Sequence, residues 1–152
     1  MKIKNILCPV DFSAPCSISV QYAESLASLF NARLYLLHVI EHLHGDEHYM
    51  ILMLTPQEIA EKMKKEAEKQ LNNLAKKIKK RLKIKIEVRE GKAFVEIVKT
   101  AWEENIDLIV MSSHGRTGLS QVLIGSVAER VVRKAQCPVL IVKDKDCKFK
   151  MP

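Results

Sequence analysis

The stretch IDLIVMSSHGRTGLSQVLIGSVAERVVRKAQCPVLIVK, residues 106–143, joins two apolar runs through a polar loop and a helical segment. The runs at 106–113 and 137–143 have the length and aliphatic content of buried strands. Between them, the pattern from Ser126 to Ala135 predicts a helix. A strand, a helix and a second strand in this order are typical of a parallel sheet in which the helix forms the crossover connection.

The same alternation extends toward the N-terminus. Three more runs predict strands at residues 2–10, 32–41 and 83–91. The run at 83–91 alternates polar and apolar residues, so we expect it to have one solvated face or to lie near a sheet edge. Strict alternation of strands and helices implies right-handed crossovers. The sequence therefore predicts an α/β fold, with an open, five-stranded, mainly parallel sheet and helices on both faces.

Three stripes of apolar residues at helical spacing predict the remaining helices. The first helix, at 17–30, has Ser13 as its N-cap, Pro15 in its first turn and an apolar stripe of Ile18, Tyr22, Leu26, Leu29 and Phe30. The second begins near Thr55 and has a stripe of Ile59, Met63, Ala67, Leu71, Leu74, Ile78 and Leu82. The third is ended by Asn105 and has a stripe of Phe94, Ile97, Val98, Ala101 and Trp102.

Composition limits the class of protein. The chain has 152 residues, of which 47% are hydrophobic, and this suits one domain at 1–144 followed by a loose tail at 145–152. The sequence has neither a run of eighteen apolar residues nor a signal peptide, so we expect a soluble cytoplasmic protein without a membrane partner. Its four cysteines form no C-x-x-C pair, which indicates reduced thiols rather than disulfides or a zinc site.

The formal net charge is +7, and a basic chain can bind nucleic acid. Most of the lysines, however, lie between residues 62 and 85, on a predicted helix that also carries many glutamates. We therefore favour a solvated helix surface over a nucleic-acid partner.

The polar loop of residues 112–125 follows a strand, at the position where ligands bind in this class of sheet. Ser126 and Glu129 have the spacing of a capping box, which indicates that a helix begins there. Gly115, Gly118 and Gly125 allow the backbone to approach a ligand closely. Together these features predict a nest of N–H donors for a phosphate chain. The alternative is an ordinary tight turn followed by a simple N-cap.

Three segments, ILCPVDFS at 6–13, LLHVIE at 36–41 and the stretch at 106–143, resemble the universal stress protein family over nearly the whole chain. The nucleotide-binding branch of that family has the motif Gly, two residues, Gly, nine residues, Gly and then Ser or Thr. Gly115, Gly125 and Ser126 match this motif, whereas Ser112 replaces its first glycine. Ser112 adds a Cβ where a phosphate would approach, although its hydroxyl can donate a hydrogen bond.

The resemblance implies a Rossmann-like fold of the adenine nucleotide alpha hydrolase-like type, which binds ATP with Mg²⁺ or Mn²⁺. Asp11 would accept hydrogen bonds from the ribose, or else act as a local helix cap. Val39 would bind the adenine edge through its backbone, and Arg116 would add a charge or point into solvent. The predicted nucleotide site consists of Pro9, Val10, Asp11, Val39, Met111, Ser112, Ser113, His114, Gly115, Arg116, Thr117, Gly118, Gly125, Ser126 and Val127.

The resemblance also implies a homodimer that pairs through the C-terminal strand. Catalysis has less support, because His114 has no carboxylate near it in sequence and the Walker A motif is absent. We expect at most slow ATP hydrolysis and assign no catalytic residue. His38 lies in an apolar strand and is predicted to be a buried histidine with a hydrogen-bond partner.

The segment EHLHGDEH at 41–48 can bind Zn²⁺ or Ni²⁺ through its histidines and carboxylates. It has no fixed ligand spacing, so we favour a solvated loop and assign no metal site.

Three functions fit the sequence. The first is an ATP-binding stress-response module, regulatory or protective, and we favour it. The second is a family member without nucleotide binding that works through dimerisation or partner contact. The third is a nucleotide-using enzyme, such as a transferase, with a pocket beneath residues 42–54.

Overall fold

The computed structural model describes residues 2–41, 55–78, 81–113 and 124–143. Its strands are β1 (Asn5–Pro9), β2 (Arg33–Ile40), β3 (Ile84–Glu90), β4 (Leu108–Ser112) and β5 (Val139–Val142). Its helices are α1 (Ala14–Phe30), α2 (Pro56–Lys77), α3 (Ala93–Glu103) and α4 (Ser126–Lys134). The predicted loop at 42–54 and the predicted tail at 145–152 lie outside the described residues.

All five strands form one parallel sheet in the order β3-β2-β1-β4-β5. Successive residues of a strand face opposite sides of a sheet, so β1, β2, β4 and β5 each contribute to two cores, whereas β3 contributes to one. Ile6 and Leu36 pack on the side of α1 and α2, whereas Leu7 and Ile109 pack on the side of α3 and α4. The predicted α/β fold with helices on both faces is confirmed.

The two edge strands differ in chemistry. β3 lies at one edge, one of the two alternatives that its alternating pattern left open, and its Arg89 pairs with Glu87 at 2.6 Å. The same guanidinium pairs with Glu96 at 3.6 Å and Glu103 at 2.7 Å, which ties the edge strand to α3. β5 forms the opposite edge and is apolar, and its Leu140 is 38% exposed.

α1 buries a different face from the one that its apolar stripe predicts. Its buried residues are small or medium in size: Cys16, Ser19, Val20, Ala23 and Ala27. Of the predicted stripe, Tyr22 is 50% exposed, Leu29 75% and Phe30 43%. Small side chains let the helix axis approach the sheet closely, so the closest packing uses them. The stripe prediction was wrong for these three residues, whereas Ile18 and Leu26 pack against the core as predicted. The helix itself and Pro15 in its first turn are also as predicted.

α2 is amphipathic, with Ala67 and Leu71 buried and its lysines exposed. The predicted stripe placed Ile78 and Leu82 in this helix, and that was wrong. The helix ends at Lys77, and both residues reach the core from the connection to β3. None of the helices in the described ranges has the length and apolar content that a bilayer crossing requires.

α3 follows its predicted stripe except at the last residue. Ile97 and Ala101 are buried, whereas Trp102 is 69% exposed. Trp102 lies about 100° around the helix axis from Ala101, outside the arc that faces the sheet. Asn105, with φ of 48°, adopts the left-handed conformation that ends a helix, as predicted.

Candidate functional site

The chain reverses its progress across the sheet between β1 and β4. From β1 it proceeds to β2 and β3 on one side, and then to β4 and β5 on the other. Such a reversal leaves a crevice outside the carboxyl ends of the two central strands, because their connections leave in opposite directions. Pro9 ends β1 and Ser112 ends β4, so the predicted site residues at 9–11 and 111–113 lie at this crevice.

Hydrogen bonds join the end of β4 to the start of α4. The N–H of Ser113 donates to the C=O of Val142 at 2.9 Å, and its C=O accepts from the N–H of Gly125 at 2.6 Å. Residues on the two sides of the polar loop are therefore in direct contact. The loop residues His114, Gly115, Arg116, Thr117 and Gly118 lie outside the described residues.

α4 begins one residue earlier than its predicted capping box requires. Gly125 is the N-cap, because its C=O accepts the first helical hydrogen bond from the N–H of Glu129 at 2.9 Å. Ser126 is thus the first helical residue, followed by Val127, and the prediction of Ser126 as a capping residue was wrong. Within the described residues, no side chain caps this helix start.

The start of α2, by contrast, is closed by side chains. At α2, Thr55 Oγ1 accepts from the N–H of Glu58 at 3.2 Å, and Glu58 accepts from the N–H of Thr55 at 2.7 Å. At α3, the N–H of Ala93 donates to Glu41. Among the described residues, α1, α3 and α4 have no capping side-chain bond at the N-cap, although Glu41 accepts from the first amide of α3. Of these three helices, α1 and α4 follow the central strands β1 and β4. Both therefore begin at the crevice.

The turn from β1 to α1 is strained. Phe12 has φ of 61°, in the left-handed region that a bulky residue rarely adopts. Asp11 Oδ1 accepts from the N–H of Ser13 at 2.9 Å and from its hydroxyl at 2.6 Å. Asp11 thus stabilises the turn just before α1, and its contact with a ribose stays a prediction. Ser13 is at the N-cap position as predicted, but its hydroxyl donates to Asp11 and does not cap the helix.

Val39 directs its backbone groups toward the crevice side of β2. In a parallel strand, alternate residues hydrogen-bond to opposite neighbours. The C=O of Leu37 accepts from Val10 on the β1 side, whereas the C=O of Ile40 accepts from Gly91 on the β3 side. Val39, two residues after Leu37, therefore points toward the β1 side, where the pairing with β1 has already ended.

His38 is buried beneath the same turn, as predicted. It is 8% exposed, and its Nδ1 lies 2.6 Å from the C=O of Val10. Its ring contacts that of Phe12, with 4.6 Å between centroids. The sequence did not reveal that the partner belongs to the turn after β1, because the two residues are 28 positions apart and only the β1–β2 pairing brings them together.

Two free thiols also contact this turn. The sulfur atoms of Cys8 and Cys16 lie 3.9 Å and 3.7 Å from the C=O of Pro9. Burial raises the pKa of both thiols, so they are protonated near neutral pH and react slowly as nucleophiles. Their position indicates a packing role beneath the turn.

The crevice provides few metal ligands of its own. No group of three or more His, Cys, Asp or Glu side chains within the described ranges is arranged to hold a metal ion. Glu41, the first residue of the His-rich segment, bonds the start of α3 instead, and residues 42–48 lie outside the described part of the chain.

The model of the universal stress protein family matches residues 2–143 of this chain. The chain belongs to the universal stress protein family. Among individual members, universal stress protein MJ0577 of Methanocaldococcus jannaschii is 33% identical over 94% of this chain and 96% of its own length. Universal stress protein MJ0531 of the same organism is 37% identical over 92% of this chain and 82% of its own length.

Solved structures of universal stress proteins share the fold. The structure of MJ0577 superposes with a TM-score of 0.83 at 34% identity, over 96% of this chain and 99% of that one. Universal stress protein UspA of Lactobacillus plantarum superposes with a TM-score of 0.74 at 26% identity, over 93% and 99% of the two chains. The similarity therefore extends over the whole sheet and is not confined to the motif.

Proposed function

We propose that this universal stress protein belongs to the nucleotide-binding branch and binds ATP at the crevice between β1 and β4. The observation that carries the proposal is the start of α4, where a glycine N-cap leaves the first amides without a side-chain cap among the described residues. Open amides and the positive end of a helix dipole together favour a phosphate group. Residues 112–118 and 125–127 would then surround the phosphates.

The nucleoside would lie over the ends of β1 and β2. The N–H and C=O of Val39 point to the side where β1 has ended, and this pair of groups matches the donor and acceptor edge of adenine. Asp11 is half-buried at the same end of the sheet and carries a carboxylate that accepts hydroxyl protons. The base and ribose contacts thus come from neighbouring strands, and the phosphate contacts come from β4 and α4.

Mg²⁺ or Mn²⁺ would accompany the nucleotide. The described residues offer no cluster of carboxylates or histidines for such an ion, so phosphate oxygens and water would supply most of its ligands. We assign no general base, and we infer that the ATP-bound state, rather than rapid hydrolysis, carries the biological signal. The protein would act as a regulatory or protective module in the cytoplasm.

Two copies of the chain would pair through β5. This strand ends the sheet, and an exposed apolar edge strand favours pairing with another chain. Leu140, 38% exposed, lies within it. Sedimentation equilibrium of Leu140→Arg against the unchanged protein tests the pairing. An unchanged molecular mass would place the interface elsewhere.

Two measurements test the nucleotide proposal. Mass spectrometry of small molecules released from the purified protein is expected to detect an adenine nucleotide, and calorimetric titration with Mg-ATP is expected to show micromolar binding. If no nucleotide is released and no heat appears at millimolar ATP, the proposal fails. The substitution of Ser112 for the motif glycine would then favour a family member that works through dimerisation or partner contact.

A further inference from the structure

The hydrogen-bond ladder between β1 and β2 ends one bond earlier than the strand geometry allows. The N–H of Val10 donates to the C=O of Leu37 at 2.7 Å. In a regular parallel ladder, the next bond would run from the N–H of Val39 to the C=O of Val10. That bond is absent among the backbone hydrogen bonds of the described residues, although the N–H of Val39 points to this side.

The carbonyl of Val10 has a side-chain partner instead. His38 Nδ1 lies 2.6 Å from it, and because a carbonyl oxygen only accepts, Nδ1 carries the hydrogen. Residues 34 and 36 of β2 face the core beneath α1 and α2, and His38 follows them on that same face. The imidazole therefore reaches the carbonyl from one face of the sheet and not from within its plane.

We propose that His38 is a positioning residue that keeps the N–H of Val39 available to the base of the bound nucleotide. This inference rests on the proposed ATP site. Without the imidazole donor, the carbonyl of Val10 takes the N–H of Val39 as its donor, and the ladder extends by one bond. The base then loses its N–H partner. His38 acts through Val10 and Val39 and does not itself contact the nucleotide.

Phe12 holds the imidazole in place. Its left-handed backbone conformation brings its ring against His38, at 4.6 Å between centroids and 36° between planes. A bulky residue keeps such a conformation only where its surroundings stabilise it. The same turn carries Asp11, the predicted ribose ligand, whose Oδ1 is bonded to Ser13. One buried histidine therefore positions both the backbone edge for the base and the turn for the ribose.

Hydrogen exchange in the nucleotide-free protein tests the ladder directly. In the unchanged protein, we expect NMR to show a protected amide at Leu37 and an unprotected one at Val39. His38→Leu removes the donor and is expected to slow exchange at Val39 by at least about tenfold. His38→Asn keeps an N–H donor at the equivalent position and is expected to restore fast exchange. Equal protection of Val39 and Leu37 in the unchanged protein would overturn the proposal, even if His38→Leu does not fold.

Binding of two ligands tests the consequence for the nucleotide. Calorimetry with ATP and with inorganic tripolyphosphate separates the nucleoside contribution from the phosphate contribution. His38→Leu is expected to weaken ATP binding about tenfold, the effect of losing one hydrogen bond, and to leave tripolyphosphate binding within about twofold. An equal loss for both ligands would show a general structural role and would contradict the proposal.

The two experiments separate this inference from the proposed ATP site. If neither ATP nor tripolyphosphate binds the unchanged protein, the ATP site is wrong, and with it the role of His38 toward a nucleotide. The exchange rates at Val39 then still decide whether His38 ends the ladder. If ATP binds and His38→Leu changes neither exchange nor affinity, the ATP site stands and the role of His38 is wrong.

Discussion

Two helices of this protein begin in opposite ways. At the start of α2, Thr55 and Glu58 satisfy each other's backbone amides in a complete capping box. At the start of α4, Gly125 occupies the N-cap, and no side chain within the described residues caps the helix. Both helices pack against the same sheet, so the difference between their N-terminal caps comes from local side-chain chemistry. A helix that closes its own amides needs no ligand, whereas an open start at the strand ends is suited to bind an anion.

A carboxylate at the start of α4 should remove the difference between the two helix starts and have the largest effect on ATP binding. Gly125 has φ of −67°, a conformation open to any residue, so Gly125→Asp is expected to fold. The new carboxylate would accept the first amides of α4 and repel a triphosphate. Loss of two or more charge-assisted bonds predicts ATP affinity at least about 100-fold lower, or about 2.7 kcal/mol, by calorimetry. Thermal stability should be unchanged or slightly higher.

Gly125→Asn serves as the matched control, because it has the shape of Asp without the charge. We expect its loss of affinity to be smaller than that of Gly125→Asp. If ATP binds both variants as it binds the unchanged protein, the phosphates do not lie at the start of α4.

Removing the N-terminal cap of α2 should lower folding stability moderately and leave ATP binding unchanged. Thr55→Ala removes the hydroxyl that accepts from the N–H of Glu58 and is expected to lower the free energy of unfolding by about 1 kcal/mol. Urea unfolding measures this change, and Thr55→Ser should restore most of it. ATP affinity is expected to stay within about twofold of the original, since α2 begins with a self-contained cap. A large loss of affinity in Thr55→Ala would show that the two helix starts are coupled.

The pH dependence of the α2 cap should be the smallest effect. Hydrogen bonds from the backbone and hydroxyl of Thr55 lower the pKa of Glu58 below its ordinary value of 4.5. Because the folded pKa is depressed, the stabilisation is complete above pH 4.5 and is lost as the pH falls through the folded value. The stability difference between the unchanged protein and Glu58→Gln should therefore be present at pH 7 and shrink toward pH 3. A difference independent of pH would show that the carboxylate charge makes no contribution.

The contrast between the helix starts was only partly predictable from the sequence. The Thr55-Pro56 start of α2 was predicted, but the capping box was assigned to Ser126 and Glu129 of α4, where Gly125 proved to be the N-cap. Spacing alone cannot separate the two cases, since the same residue types fit an N-cap or a first helical turn. The distinction depends on which carbonyl accepts the first helical bond, and that is a property of the folded backbone.

The sequence by itself determined the alternation of strands and helices, the polar face of β3 and the burial of His38, because these depend on patterns within short segments. Only the tertiary structure decided which face α1 buries, since close packing of its small residues against the sheet outweighs its larger apolar stripe. It also decided the direction of Val39 and the partner of Val10, because both depend on the register between strands that are distant in sequence.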